Sequence, residues 1–209
     1  MDKPYGEQLD TEARIIQAAR EEFLEKGLYG ARMQDIATRA GINKAMLHYY
    51  FRSKEKLFSL ILEESLRKFF PMVREALVMP LPLRQKLERL IEIYHANLTA
   101  NPFLPIFILS EAHKNPELFP VKLFEQNQFS EMIIFGQQIR AEMEAGRIRP
   151  INPAHFIINL LSLMVFPFLA KPMAKFALNL DETAYQAILS ERKAYIMEYI
   201  DHVLFTDNQ

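Results

Sequence analysis

The stretch that decides the fold is MQDIATRAGINKAMLHYYF, Met33–Phe51. It reads as two short helices joined by a tight turn. Ile36, Ala37 and Ala40 give the first helix an apolar face, and Gly41 stands where the chain must reverse at positive φ, a conformation that glycine adopts without steric cost. Asn43 is a good N-cap for a second helix of about Lys44 to Tyr50. Ile42 and Leu47 fall at the two positions of a hydrophobic staple, which pins that helix against the first. Small alanines let the two helices approach closely. The outer face of the second helix is then free to enter a major groove. Lys44, Ala45, Met46, His48, Tyr49 and Tyr50 share that face or its edges. Lys44 sits in the first turn, in reach of base edges or phosphates. The tyrosine hydroxyls can donate to phosphate oxygens, and Ala45 permits close approach.

Outward from this hairpin, Ser53 caps a long helix that begins at Lys54, and a helix N-terminus is itself a phosphate site. Upstream, Asp10 is expected to cap a helix of about Thr11 to Lys26, with Ile15, Ala19 and Phe23 on one face and Gly27 at its end. The net charge of the 209-residue chain is only −1. The distribution is uneven, however. Between Arg32 and Lys56 there are six positive residues (Arg32, Arg39, Lys44, Arg52, Lys54, Lys56) against Asp35 and Glu55. A basic head on an acidic body is the electrostatic footprint of a nucleic-acid binder.

The segment Thr11 to Leu60 resembles the DNA-binding head of the TetR family of bacterial regulators. The matching pieces are the Ile15–Ala18–Ala19–Phe23 face ending in Lys26–Gly27, then Asp35–Ile36–Ala37, Ala40–Gly41–Ile42, Leu47, and the run from Tyr49 to Leu57. Three positions depart from the pattern. Arg32 stands where the family often has a capping Thr, Asn43 replaces a common Ser, and His48 stands where Tyr is frequent. With the hairpin, the resemblance marks Arg32, Gln34, Asn43, Lys44, Ala45, Met46, His48, Tyr49, Tyr50 and Lys54 as residues expected at double-stranded operator DNA. It further implies a divergent helical body that binds a small, mainly apolar effector and forms a homodimer through its last two long helices.

Beyond residue 70 charge thins and Phe, Met, Leu and Pro rise. Helices are expected at about Leu83–Ala100, Val121–Ala145, Pro153–Ala170 and Glu182–Leu204, with Asn152, Asp181 and Gly146 as caps and stops. The helix from Pro153 is apolar nearly all round and must be covered on all sides. A partner subunit or the rest of its own monomer can supply that cover; with the dimer that the resemblance implies, Phe156, Leu160, Leu163 and Met164 on it, with Ile188, Tyr195 and Tyr199 on the last helix, are expected at the dimer interface. An effector pocket would draw on aromatic and sulfur side chains with a few polar anchors. The candidates are Tyr94, His95, Asn97, Phe107, Glu111, Phe124, Gln128, Met132 and Phe166.

The chain has no cysteine, so a disulfide framework and thiolate metal sites are excluded. The N-terminus lacks the apolar stretch of a signal peptide. The segment Phe156–Ala170 is shorter than a membrane span needs, so the expected location is the cytoplasm. No phosphate loop, nucleophile elbow, metal-ligand pair at helical spacing or glycine-rich cofactor turn is present. The expectation is neither an enzyme nor a cofactor or metal protein. It is an all-α regulator of about nine helices, with a three-helix helix-turn-helix head (residues 1–53) and an effector-binding and dimerisation bundle (residues 54–209). Repression and activation stay open, and a body that docks a protein partner is the alternative to one that binds a small molecule.

Overall fold

The computed structural model describes residues 5–114 and 129–205. Among the described residues there are ten α-helices and no strand. The chain forms two compact units that divide within the fourth helix, between Arg67 and Lys68.

The first unit is built from α1 (Tyr5–Gly30), α2 (Met33–Arg39), α3 (Lys44–Tyr50) and the first half of α4 (Lys54–Val78). Helix α1 starts before Asp10, so that residue is not its cap; it lies inside the helix and faces Arg14 at 3.7 Å. Gly27 interrupts α1 at φ 67°, after which one more turn runs to Gly30. The apolar face expected of α1 is buried: Ile15, Ala19 and Phe23 pack in a core with Ile36, Ala37, Leu47 and Leu57. Phe23 meets Phe58 edge to face, with ring centroids 4.9 Å apart.

The second unit comprises the rest of α4 with α5 (Leu83–Ala100), α6 (Leu104–Lys114), α7 (Phe129–Glu144), α8 (Pro153–Leu169), α9 (Lys171–Ala177) and α10 (Glu182–Leu204). The end signals act as their chemistry requires. Asn152 and Asp181 accept the Ala154 and Ala184 amides at 2.9 and 2.7 Å. Gly146, at φ 71°, closes α7 with the Arg147 amide bonded to the Glu142 carbonyl and its own to Met143. Helix α9 was not expected. It ends on Asn179 rather than glycine, at φ 51°, in the same double-bonded geometry, which asparagine tolerates. Helix α8 is the hub of this unit, packing on α5, α6, α7, α9 and α10. An antiparallel bridge between Ile148 and Phe205 ties the chain after α7 to the end of α10. No single described helix is long and apolar enough to cross a membrane; α8 and α9 together pass by composition but are bent by 78°.

One feature of α4 comes from its sequence. Pro71 lies inside the helix and has no amide hydrogen for the carbonyl four residues back, that of Arg67.

Candidate nucleic-acid interface and body cavity

The helical hairpin is closed by backbone geometry. Gly41 has φ 68°. Its amide donates to the Thr38 carbonyl at 3.1 Å, and the Ile42 amide to the Ala37 carbonyl at 3.0 Å. This pair of bonds is the Schellman closure, and it turns α2 out of its path. Asn43 then restarts the chain, its Oδ1 accepting the Met46 amide at 2.7 Å. Leu47 is fully buried beneath α3. On the opposite face Lys44, Ala45, His48 and Tyr49 are exposed, with Met46 and Tyr50 half-buried at its edges. Tyr49 is 77% exposed and rests edge-on against Tyr50 at 5.5 Å. Gln34 and Arg32 are exposed at the start of α2. Arg32 occupies the N-cap position without a side-chain bond, as its chemistry dictates.

Two of the basic residues counted in the sequence are committed within the fold. Arg39 reaches three carboxylates of α1: Glu21 at 3.3 Å, Glu22 at 3.3 Å and Glu25 at 2.8 Å. Lys26 joins Glu22 at 2.7 Å to Asp35 at 3.0 Å. These ion pairs bolt α1 to α2. Gln17 and then Arg39 hold the Glu21 carboxyl below its usual range, Arg39 does so for Glu25, and Lys26 does so for Asp35. Lys54 is the second committed residue. Its Nζ donates to the carbonyls of Ala31 at 3.1 Å and Tyr29 at 3.4 Å. The side chain expected at DNA thus ties the end of α1 to the start of α4. Ser53 Oγ accepts the Lys56 amide at 3.2 Å there. Arg32, Lys44, Arg52 and Lys56 are exposed and, among the described residues, stand in no ion pair. They are the positive charge that remains available.

The second unit contains an apolar cavity of about 200 Å³. Its wall is assembled from helical stripes. Helix α4 contributes Phe70, Val73, Arg74 and Leu77; α8 contributes Ile157, Leu160, Leu161 and Met164. Both sets repeat at i, i+3, i+4 and i+7, the spacing of one helix face. Leu90 and Tyr94 of α5 and Glu131, Met132 and Phe135 of α7 complete it. Two charges border it, and they are paired: Arg74 Nη2 and Nε lie 3.1 and 3.2 Å from Glu131 Oε1. The Glu131 carboxyl is held below its usual range by its own backbone amide, then by Ser130 and Arg74. Tyr94 stacks edge-on against Phe69 at 5.0 Å. Burial pushes its hydroxyl up to about 12.

Of the expected effector residues, Tyr94 and Met132 are on this wall. The others with a described side chain are elsewhere. His95 Nε2 lies 2.8 Å from the Leu189 carbonyl, Asn97 donates to the Ile93 carbonyl, and Phe107 is half-buried away from the cavity. Phe166 is 59% exposed on the outer face of α8. Phe124, Gln128 and the side chain of Glu111 lie outside the described residues. The expected interface residues also separate. Leu160 and Met164 are 4% and 5% exposed and line the cavity, so they are not on an outer face. Phe156 and Leu163 are half-buried, whereas Ile188, Tyr195 and Tyr199 are exposed along α10. An all-apolar helix carries no mark of its rotation, so its sequence does not show that Leu160 and Met164 face inward. The contribution of α4 was missed although its 70, 73, 74, 77 stripe was legible. No group of three His, Asp or Glu side chains among the described residues is placed to hold a metal ion.

The family model of bacterial regulatory proteins of the tetR family matches residues 15–61, the span of the hairpin and its two flanking helices. The chain is 31% identical to the HTH-type transcriptional repressor SCO4008 of Streptomyces coelicolor over 156 residues, which is 74% of this chain and 76% of that protein. It is 27% identical to the HTH-type transcriptional regulator UidR of Escherichia coli over 155 residues, covering 74% and 78% of the two. Among solved structures, a transcriptional regulator from Saccharomonospora viridis in complex with choline superposes with a TM-score of 0.63 at 18% identity, covering 93% of this chain and 97% of that one. These relatives are regulators rather than enzymes, and the hairpin, its capping and its supporting helices fit their common task. The chain belongs to the TetR family and is a DNA-binding transcriptional regulator.

Proposed function

We propose that the protein is a homodimeric cytoplasmic repressor that leaves a palindromic operator when a small, mainly apolar effector fills the body cavity. The observation that carries this reading is α4. One helix of 25 residues, about 37 Å long, begins at the Ser53 cap beside α3 and ends as a wall of the cavity. A ligand that favours one position of Phe70, Val73 and Leu77 biases the whole helix, provided it binds the two states with different affinity. Repression is favoured over activation by the Streptomyces coelicolor relative, itself a repressor.

In this reading α3 enters the major groove with Lys44, Ala45, His48 and Tyr49, Met46 and Tyr50 at its edges. Arg32, Gln34 and the amide end of α4 hold phosphates. Asn43 acts through its cap, and Lys54 positions α4. Dimerisation uses the outer faces of α8 and α10. Ile188, Tyr195 and Tyr199, together with Ile158 (60% exposed) and Val203, form an apolar surface there, and a two-fold operator needs a two-fold protein. The exposed Met173 and Phe176 of α9 and Leu178 at its C-cap favour a second reading, in which the body also docks a protein.

Light scattering on the purified chain tests the dimer. Genome-wide footprinting tests the operator, and the absence of any preferred site defeats the repressor reading. Binding to that site must weaken steeply with salt, since phosphate contacts release counterions.

A further inference from the structure

We infer that the effector is an uncharged molecule with a single aromatic or alicyclic ring and one hydrogen-bonding oxygen, which meets the Tyr94 hydroxyl. This rests on the cavity being the effector site. The size sets the first limit: at about 200 Å³ the space exceeds the ~150 Å³ apolar cavity that admits benzene, so a ring with a short substituent fits. The wall sets the second. Phe70, Phe135, Met132 and Met164 offer ring faces and polarisable sulfur, which favour a flat or ring-shaped apolar guest.

Charge sets the third limit. Among the described residues, the ionised groups on the wall are Arg74 and Glu131, and they neutralise one another at 3.1 Å. An anionic guest would have to take Arg74 from Glu131, and a cationic guest the reverse. Either exchange leaves one carboxylate or guanidinium without its partner in a partly desolvated place, which is costly. Polarity sets the last limit. Tyr94 is half-buried on the cavity wall, and among the described residues its hydroxyl has no hydrogen-bond partner. A guest that fills the cavity shuts this hydroxyl from water, and buried hydroxyls are ordinarily paired. With ionisation pushed far above neutral pH by burial, the group stays a neutral donor and acceptor. A guest carbonyl or hydroxyl supplies the missing partner.

The test is a thermal-shift and calorimetric comparison of four probes of matched size on the full chain: acetophenone, ethylbenzene, benzoate and benzylamine. Acetophenone is expected to bind and to raise the melting temperature. Ethylbenzene should bind about five- to tenfold more weakly, the ordinary worth of one neutral hydrogen bond. Benzoate and benzylamine should not bind at the same concentrations. Tyr94→Phe should bring acetophenone down to the level of ethylbenzene while leaving ethylbenzene unchanged. Binding of either ion as tight as that of acetophenone overturns the inference, as does an acetophenone preference that survives in Tyr94→Phe; in both cases the cavity still stands as the effector site. Binding by none of the four in the unaltered chain defeats the cavity reading itself.

Discussion

The two units of this chain are held together by different means. In the head, side chains reach fixed partners over short distances. Arg39 grips three carboxylates of α1, Lys26 links Glu22 to Asp35, Lys54 ties two helix ends, and Asn43 and Gly41 shape the hairpin. In the body the central element is α8, a helix of Leu, Ile, Met and Phe that packs on five neighbours and leaves a hollow beside it. A surface that must meet DNA in one register needs rigid, directional bonds. A site that admits a guest needs a wall left partly unfilled.

The same substitution in the two units gives the sharpest contrast. Leu47 is fully buried and Leu160 lines the cavity. Truncation costs the transfer energy of the lost methyl groups plus that of the void left behind, and a wall that is already open adds little new void. Leu47→Ala is expected to cost about 4 kcal/mol and to abolish operator binding, and Leu160→Ala about 2 kcal/mol, with DNA binding intact. Urea unfolding and gel shift measure both, and equal losses would remove the distinction between a solid head and a hollow body.

Next in size is Gly41→Ala. No atom lies within 4 Å of where its Cβ would stand, so the cost is the backbone conformation at φ +68° alone, about 1 kcal/mol. A much larger loss would mean that the turn is also sterically crowded.

Two basic residues in the head separate structural from available charge. Lys44→Ala should lower the salt dependence of operator binding by about one unit of slope, with melting unchanged. Arg39→Ala should lower the melting temperature and leave that slope alone. The reverse assignment would show that the ion pairs to α1 open when DNA binds.

The smallest effect is in the body. Lys171, then Lys175 and Gln186, bring the Glu182 carboxyl down to about 2. A carboxylate whose folded value lies below its unfolded one stabilises fully above about 4.5 and loses that contribution as pH falls through 2. The group is exposed, so Glu182→Gln should cost less than about 1 kcal/mol at neutral pH. The difference from the unaltered chain should shrink as pH falls below 4.5 and vanish in acid melts below pH 2.

The head was more legible than the body because more of its structure rests on local signals. Asn43, Gly41, Ser53 and the Ile42–Leu47 pair are local signals whose partners lie within six residues, and α3 and the start of α4 fall where they indicate. Local reading failed where a signal had competitors. Asp10 can cap a helix but also pairs with Arg14 inside one. The basic count from Arg32 to Lys56 could not foresee that Arg39 would be engaged by the α1 carboxylates and Lys54 by the carbonyls of Tyr29 and Ala31. In the body, side chains were selected by chemical type, and a cavity selects by rotation. His95, Asn97 and Phe166 have suitable chemistry but lie off the cavity wall, to which Phe70, Val73 and Leu77 contribute instead. Helix α9 was missed because Asn179, unlike a glycine, does not announce a helix end.

Pro71 has a consequence for how the molecule opens in time. The Arg67 carbonyl cannot receive the bond that a proline lacks, and Arg67 is the last residue of the first compact unit. The ladder of α4 thus lacks one bond at this boundary, so local opening is less cooperative across it, while the continuous helix can still move as one rod. Amide hydrogens from Phe58 to Arg67 should exchange with solvent at the opening rate of the head, and those from Met72 to Val78 at that of the body. Filling the cavity should then slow exchange in the second block and leave the first at its own pace, so that a single helix keeps two clocks.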